Sequence, residues 1–294
     1  SADRLTTGRR EHVALVPGSP RLQPTAAHPA AAASVLETRA LTVRFGGHVA
    51  VNNVSCAYAP GTLTAIVGPN GAGKTTYFNL VSGQLPASSG EVWLDGENLS
   101  QLSAPIRTRK GLGRAFQLTQ LFPNLTVLEN VRLAIQARES GRSGSWHAGA
   151  LDLLRIWLDH ADWIAEARSI LVSVRLADKA ESHAAALPHG DQRKLEVALL
   201  MALDPKVYLF DEPTAGMSVD EVPVVLDLIR MLKQRSDRTI LLVEHKMDVV
   251  RELADRIVVL HMGELVADGE PAAVIASPVV QQAYLGTAVA GAPA

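Results

Sequence analysis

From Leu41 to Phe45 apolar and polar residues alternate, the period of a strand with one buried face. Gly46-Gly47 supply a hairpin turn, and His48 to Tyr58 reads as the returning strand. Pro60-Gly61 marks the next turn. Leu63-Thr64-Ala65-Ile66-Val67 is then an almost unbroken apolar run, the pattern of a strand covered on both faces. A Gly-rich loop and a helix from about Gly73 to Ser82 follow, and Glu91 to Leu94 with the turn Asp95-Gly96 closes the first sheet region.

The middle of the chain, from about Thr126 to Ala186, has a helical character. Thr126-Val127-Leu128-Glu129 has capping-box spacing and predicts a helix start, and the polar stretch Glu139 to Ser145 predicts a break. Strands and helices then alternate: Val207–Phe210, helix Val222–Lys233, Ile240–Val243, helix Met247–Ala254, Ile257–Leu260. That order predicts an α/β fold, a mostly parallel sheet with covering helices and a helical insert between its two halves.

Composition narrows the class. Of 294 residues 47% are hydrophobic and 20% charged, enough to bury a sizeable core. The net charge of −2 supplies no field for nucleic acid, which is not expected as a partner. Cys56 stands alone, so an internal disulfide and a CxxC site are excluded. No apolar run approaches the ~20 residues that cross a bilayer, so any membrane link is expected through a partner chain. Residues 1–34, rich in Ala and Pro, predict a flexible extension, and residues 287–294 a short tail.

The chemistry-bearing pattern is Gly68-Pro69-Asn70-Gly71-Ala72-Gly73-Lys74-Thr75, a full GxxxxGK[ST] match between an apolar strand and a helix. Glycines let successive backbone N–H groups converge on a phosphate, and the helix N-terminus adds partial positive charge. Lys74 is expected to reach the β- and γ-phosphates of a nucleoside triphosphate, the Thr75 hydroxyl to sit on Mg²⁺ and the next residue, Thr76, to help bind the nucleotide. Val207 to Phe210 delivers a second feature, Asp211-Glu212, at the C-terminal end of a buried strand. Asp211 is expected to hold Mg²⁺ and Glu212 to orient the attacking water.

These motifs, with further landmarks in order from about Val35 to Gly286, resemble the ATP-binding subunits of ABC transporters. The resemblance implies a P-loop cassette: an N-terminal antiparallel β subdomain, a mostly parallel core sheet and a helical signature subdomain at about 126–200, within a domain spanning 35–286. It implies that Phe45 stacks on adenine, that Gln117 contacts Mg²⁺ and senses the membrane partner, and that His245 contacts the γ-phosphate. Ala215 to Ser218 occupies the D-loop position. The signature aligns with Leu187-Pro188-His189-Gly190-Asp191, which would meet the nucleotide on an opposing subunit. Pro188 has neither the usual hydroxyl nor an N–H: either this is the weaker composite site within a pair of different cassettes, or the backbone donors at Gly190 and the helix N-terminus suffice and the change is neutral.

Glu212 to Met217, His189 to Arg193, Leu195 to Ala198, Leu85-Pro86 and Ser89-Gly90 are similar to the branched-chain amino-acid importer branch. Arg138 to Ala165 looks like that branch's insert and holds Trp146, Trp157 and Trp163. Helix packing and a permease-facing surface both account for these aromatics, and Gly141 to Gly144 reads as a loop. The implied partners are a second ATP-binding subunit, two transmembrane permease subunits and a periplasmic or extracellular substrate-binding protein, at the cytoplasmic face of the membrane. A urea or amide importer, a lipid exporter and a soluble non-transport ATPase are the alternatives.

Overall fold

A computed structural model describes residues 34–115, 121–143, 161–220 and 222–285, and among them two sheets organise the chain. Strands β1 (Leu36–Phe45) and β2 (His48–Tyr58) form the predicted hairpin, with Phe45 paired to His48 across the Gly46-Gly47 turn. They join β4 (Ser89–Leu94) and the short β5 (Glu97–Asn98) in an antiparallel sheet of order β2-β1-β4-β5.

The second sheet has the order β10-β9-β3-β8-β7-β6. Strand β3 (Leu63–Val67) lies between β8 (Thr239–Val243) and β9 (Arg256–His261), while β7 (Val207–Asp211) lies between β8 and β6 (Leu112–Ala115). All five of these strands run parallel, and only β10 (Glu264–Gly269) at the edge is antiparallel. Every residue of β3, β7 and β8 is buried, as their unbroken apolar runs predict.

Alternate residues of these strands feed two cores. Tyr208, Phe210, Ile240 and Leu242 pack towards helices α5 (His189–Leu203) and α6 (Val222–Lys233). Leu209, Leu241 and Ile66 pack towards α1 (Lys74–Ser82) and the antiparallel sheet. A buried hydroxyl chain ties α1 to that sheet: the Tyr77 hydroxyl lies 3.0 Å from Thr38 Oγ1 and 2.8 Å from the Tyr58 hydroxyl.

The helical region opens as its capping box predicts. Thr126 Oγ1 accepts from the Glu129 N–H at 3.1 Å, and Glu129 Oε2 accepts from the Thr126 N–H at 2.8 Å. Helix α3 (Val127–Ser143) then departs from expectation, because it runs through Glu139 to Ser143 with no break and keeps Gly141 helical. Arg138 accounts for this: its guanidinium binds Glu139 at 2.8 Å, Glu166 of α4 (Ala161–Ser173) at 2.7 Å and the Ala202 carbonyl of α5 at 3.0 Å. Tertiary anchoring outweighs the local polar composition. Trp163 packs against the α3–α5 core, while Trp146, Trp157, Gly144 and the 1–33 extension lie outside the described residues. The short helices α2 (Ala104–Arg109), α7 (Met247–Leu253), α8 (Pro271–Ala276) and α9 (Pro278–Leu285) complete the fold. Among the described residues no helix is long and apolar enough to cross a membrane.

Candidate active site

The C-terminal ends of β3, β7 and β8 converge beside the start of α1, where open parallel sheets bind ligands. Gly68 to Gly73 turn tightly between β3 and α1. Gly68 has φ 152°, and a Cβ there would stand 2.1 Å from the Leu260 carbonyl oxygen of β9. Gly73 caps α1 in the left-handed region at φ 97°, where a Cβ would stand 2.6 Å from the Ala50 carbonyl oxygen of β2. The loop is thus pressed between the two sheets. In front of it opens a cavity of about 350 Å³, lined by His48, Ala50, Asn70, Gly71, Ala72, Gly73, Lys74, Thr75, Thr76, Glu212 and His245.

Lys74 is buried and folds back on its own loop, donating to the carbonyls of Gly68 at 2.7 Å and Pro69 at 3.0 Å. Burial lowers the pKa of its ammonium, while the nearby Glu212 and Asp211 carboxylates pull the other way. A triphosphate would offer this ammonium charged acceptors in place of two neutral carbonyls. Phe45 stands half exposed at the hairpin tip, outside the cavity lining.

Asp211 ends β7 and is buried. Its Oδ2 accepts from Arg114 Nη2 of β6 at 2.6 Å, and both side chains are only 3% exposed. Burial raises the Asp211 pKa, with the Arg114 charge pulling it down and Glu212 pushing it up. The other oxygen, Oδ1, is buried with no hydrogen-bond partner among the described residues. Together with the Thr75 hydroxyl on the first turn of α1, this orphaned carboxylate oxygen makes a hard oxygen donor set that fits Mg²⁺.

Glu212 adopts φ +50°, a left-handed conformation costing a non-glycine residue about 1–3 kcal/mol. The turn sends its carboxylate out of the sheet and towards His245, whose Nε2 lies 2.6 Å from Glu212 Oε1. His245 is fixed from behind by Glu244. That buried carboxylate accepts the N–H groups of His245 at 3.0 Å and Lys246 at 3.2 Å through Oε1, and the Thr214 hydroxyl at 3.0 Å through Oε2. A phosphate cradle and a linked Glu–His pair therefore face one cavity, and the buried Asp211 directly precedes Glu212 at the end of β7. That combination can bind a nucleoside triphosphate and direct water at its terminal phosphate.

The profile of the family described as ABC transporter matches residues 51–215, more than half of the chain. The chain belongs to the ABC transporter family. The cassette is 36% identical over 254 residues to the high-affinity branched-chain amino acid transport ATP-binding protein BraF of Pseudomonas aeruginosa, covering 86% of this chain and 98% of that one. It is 35% identical, with the same coverages, to the corresponding protein LivG of Escherichia coli K12. Among solved structures, the ADP conformation of an ATP-binding cassette of an ABC transporter superposes with a TM-score of 0.70 at 27% identity, covering 86% of this chain and 99% of that one. A nucleotide-free ATP-binding cassette superposes with the same TM-score at 26% identity.

The segment expected to be the signature stands apart from this cavity, since none of Leu187, Pro188, His189, Gly190 or Asp191 lines it. Pro188 is the N-cap of α5 without any side-chain cap bond, while His189 is exposed and Gly190 is buried in the first turn. Asp191 is held by ion pairs to Lys179 and, at 2.7 Å, to Lys194, so its carboxylate is committed to the helix rather than left for a ligand. Gln117 lies outside the described residues.

Sequence reasoning passed over His48 and Ala50, which line the cavity, and Arg114 and Glu244, which brace it. The last two flank recognised landmarks. For Glu244, a charged residue directly after an apolar strand is the signal that could have found it; Arg114 sits in a segment without strand composition and offers none.

Proposed function

We propose that this cassette hydrolyses ATP to power the import of branched-chain or related hydrophobic amino acids through a membrane permease. The carrying observation is the phosphate loop facing the Glu212–His245 pair across one cavity, in a chain that matches 98% of the length of its branched-chain amino acid transport relatives.

In this reading the loop amides from Asn70 to Thr75 and the Lys74 ammonium hold the β- and γ-phosphates. Phe45 lies against the adenine, and Thr76 contacts the phosphates. Asp211, Thr75 and Gln117 hold Mg²⁺, which when bound neutralises charge on the transferring group. Glu212 accepts a hydrogen bond from water and takes its proton as oxygen attacks the γ-phosphorus. The bond to the β–γ bridging oxygen breaks, and ADP and phosphate result. His245 orients Glu212 and donates to the γ-phosphate.

The signature 187–191 covers the nucleotide of a second ATP-binding subunit. Pro188 brings no hydroxyl or N–H donor to it, leaving the backbone amides and the exposed His189 ring, and this supports a partner of different sequence. Two permease subunits and a substrate-binding protein complete the assembly, with the cassette on the cytoplasmic face.

Uptake of radiolabelled leucine by cells carrying wild-type or Glu212→Gln protein tests the reading, with isoleucine, valine, alanine and urea as competitors. Hydrolysis by the variant should fall at least ~100-fold with ATP binding kept. Uptake should fall with it, and the branched-chain acids should compete. Unchanged leucine uptake beside active wild-type ATPase would reject the amino-acid substrate, and competition by urea would redirect it.

A further inference from the structure

We propose that Arg114 is a positioning residue for the metal site, fixing the Asp211 carboxylate so that one oxygen alone is presented to Mg²⁺. The inference rests on the assignment of Asp211 to Mg²⁺ made above. Arg114 comes from β6, the strand that leads into the 116–120 segment, and it reaches Asp211 from 97 positions away in sequence. Its Nη2 donates to Asp211 Oδ2 at 2.6 Å, and Oδ1 is left buried without a partner among the described residues.

The same guanidinium is anchored on its other side. Nη1 donates to Asn79 Oδ1 at 2.7 Å and to Ser82 Oγ at 3.1 Å, both on α1, the helix that carries Lys74 and Thr75 at its start. The cation also lies 5.7 Å from the ring centre of Phe78. One planar fork thereby spans the two elements that bring Asp211 and Thr75 together, which the point charge of a lysine cannot do.

Stability alone gives little reason for this pair. Two charges taken out of water are commonly no better than apolar residues of equal volume. The arrangement instead sets a carboxylate rotamer and the distance between β7 and α1, as outer-shell partners of metal ligands do; their loss typically weakens metal affinity by ~10–100-fold.

The test uses the purified full chain with the non-hydrolysable analogue AMP-PNP, counting bound Mn²⁺ by electron paramagnetic resonance and measuring analogue affinity separately in EDTA. Arg114→Lys and Arg114→Met should weaken Mn²⁺ retention by at least ~10-fold while analogue affinity in EDTA stays within ~2-fold. The double variant Asn79→Ala/Ser82→Ala keeps the Arg114–Asp211 charges but frees the fork; it should show an intermediate loss and serves where Arg114 variants fold poorly. Unchanged Mn²⁺ retention in all of these overturns the inference. Equal losses with and without metal also overturn it, since Arg114 would then only support the phosphate loop. If wild-type protein itself retains no Mn²⁺ with the analogue, the metal assignment of Asp211 fails instead.

Discussion

Replacing Glu244 with alanine should slow hydrolysis while leaving ATP binding nearly intact. The Glu244 carboxylate, 3% exposed, holds the two consecutive N–H groups that form the turn carrying His245. A hydrogen bond to a charged group is worth about 1.5–3 kcal/mol, so freeing both N–H groups removes about 3–6 kcal/mol from the observed turn. Water reaches the half-exposed His245 and returns part of it, leaving about 2–3 kcal/mol. If that energy holds His245 against Glu212 in the transition state, kcat falls about 30–100-fold, since ~1.4 kcal/mol is tenfold. The KM for ATP should stay within ~3-fold, because Glu244 does not line the cavity and removes no uniform binding. Glu244→Gln keeps an acceptor oxygen for both N–H groups, in neutral bonds about half as strong, and should lose kcat by no more than ~10-fold. Steady-state phosphate release well below the melting temperature, paired with fluorescent-nucleotide binding, reads both parameters. A kcat for Glu244→Ala within threefold of wild type refutes the reasoning. So does glutamine as damaging as alanine, which would make the charge and not the held turn responsible.

Other outcomes follow from other parts of the molecule. Tyr77→Phe removes the hydroxyl between Thr38 and Tyr58 and should cost about 1–3 kcal/mol in urea unfolding; an unchanged midpoint would show that water takes its place. Pro188→Ser supplies α5 with the N-cap acceptor it lacks and should raise both stability, by about 0.5–2 kcal/mol, and ATPase turnover of the assembled transporter. Turnover unchanged in that variant removes the argument for a weakened signature. Cys56 is buried and its thiol is pushed up to about 11, chiefly by burial and then by Asp268, so iodoacetamide at pH 8 should leave the folded chain unlabelled. Prompt alkylation of native protein would contradict the packing around Tyr58.

What was legible in the sequence follows physical locality. The phosphate loop, the buried runs 63–67 and 207–210 and the capping box at Thr126 are each specified within a few residues, and each stands where the pattern puts it. Strand β6 was not legible: Leu-Gly-Arg-Ala has no strand composition and becomes extended by parallel pairing with β7, nearly a hundred residues on. Helix α2 is held by buried Arg107, which donates to the carbonyls of Leu80 and Val81 in α1, again a distant partner. The expected break at Glu139 failed because Arg138 found Glu166 and Ala202. The site shows the same division. The phosphate loop and Asp211-Glu212 were readable from their own pattern and His245 only through a family resemblance, while Arg114 and Glu244 acquire their meaning from what they touch across the fold.

The central position of β3 has a consequence for synthesis. Its hydrogen-bonded neighbours are β8 and β9, which leave the ribosome long after the phosphate loop has been made. The carbonyl of Leu260, against which Gly68 must pack, belongs to the same late segment. A nascent chain therefore carries a complete nucleotide motif without the walls that give it shape. The growing polypeptide cannot sequester ATP before its last strands are in place, and chains cut short before about residue 261 should emerge as clients of chaperones and proteases rather than as idle competitors for the permease.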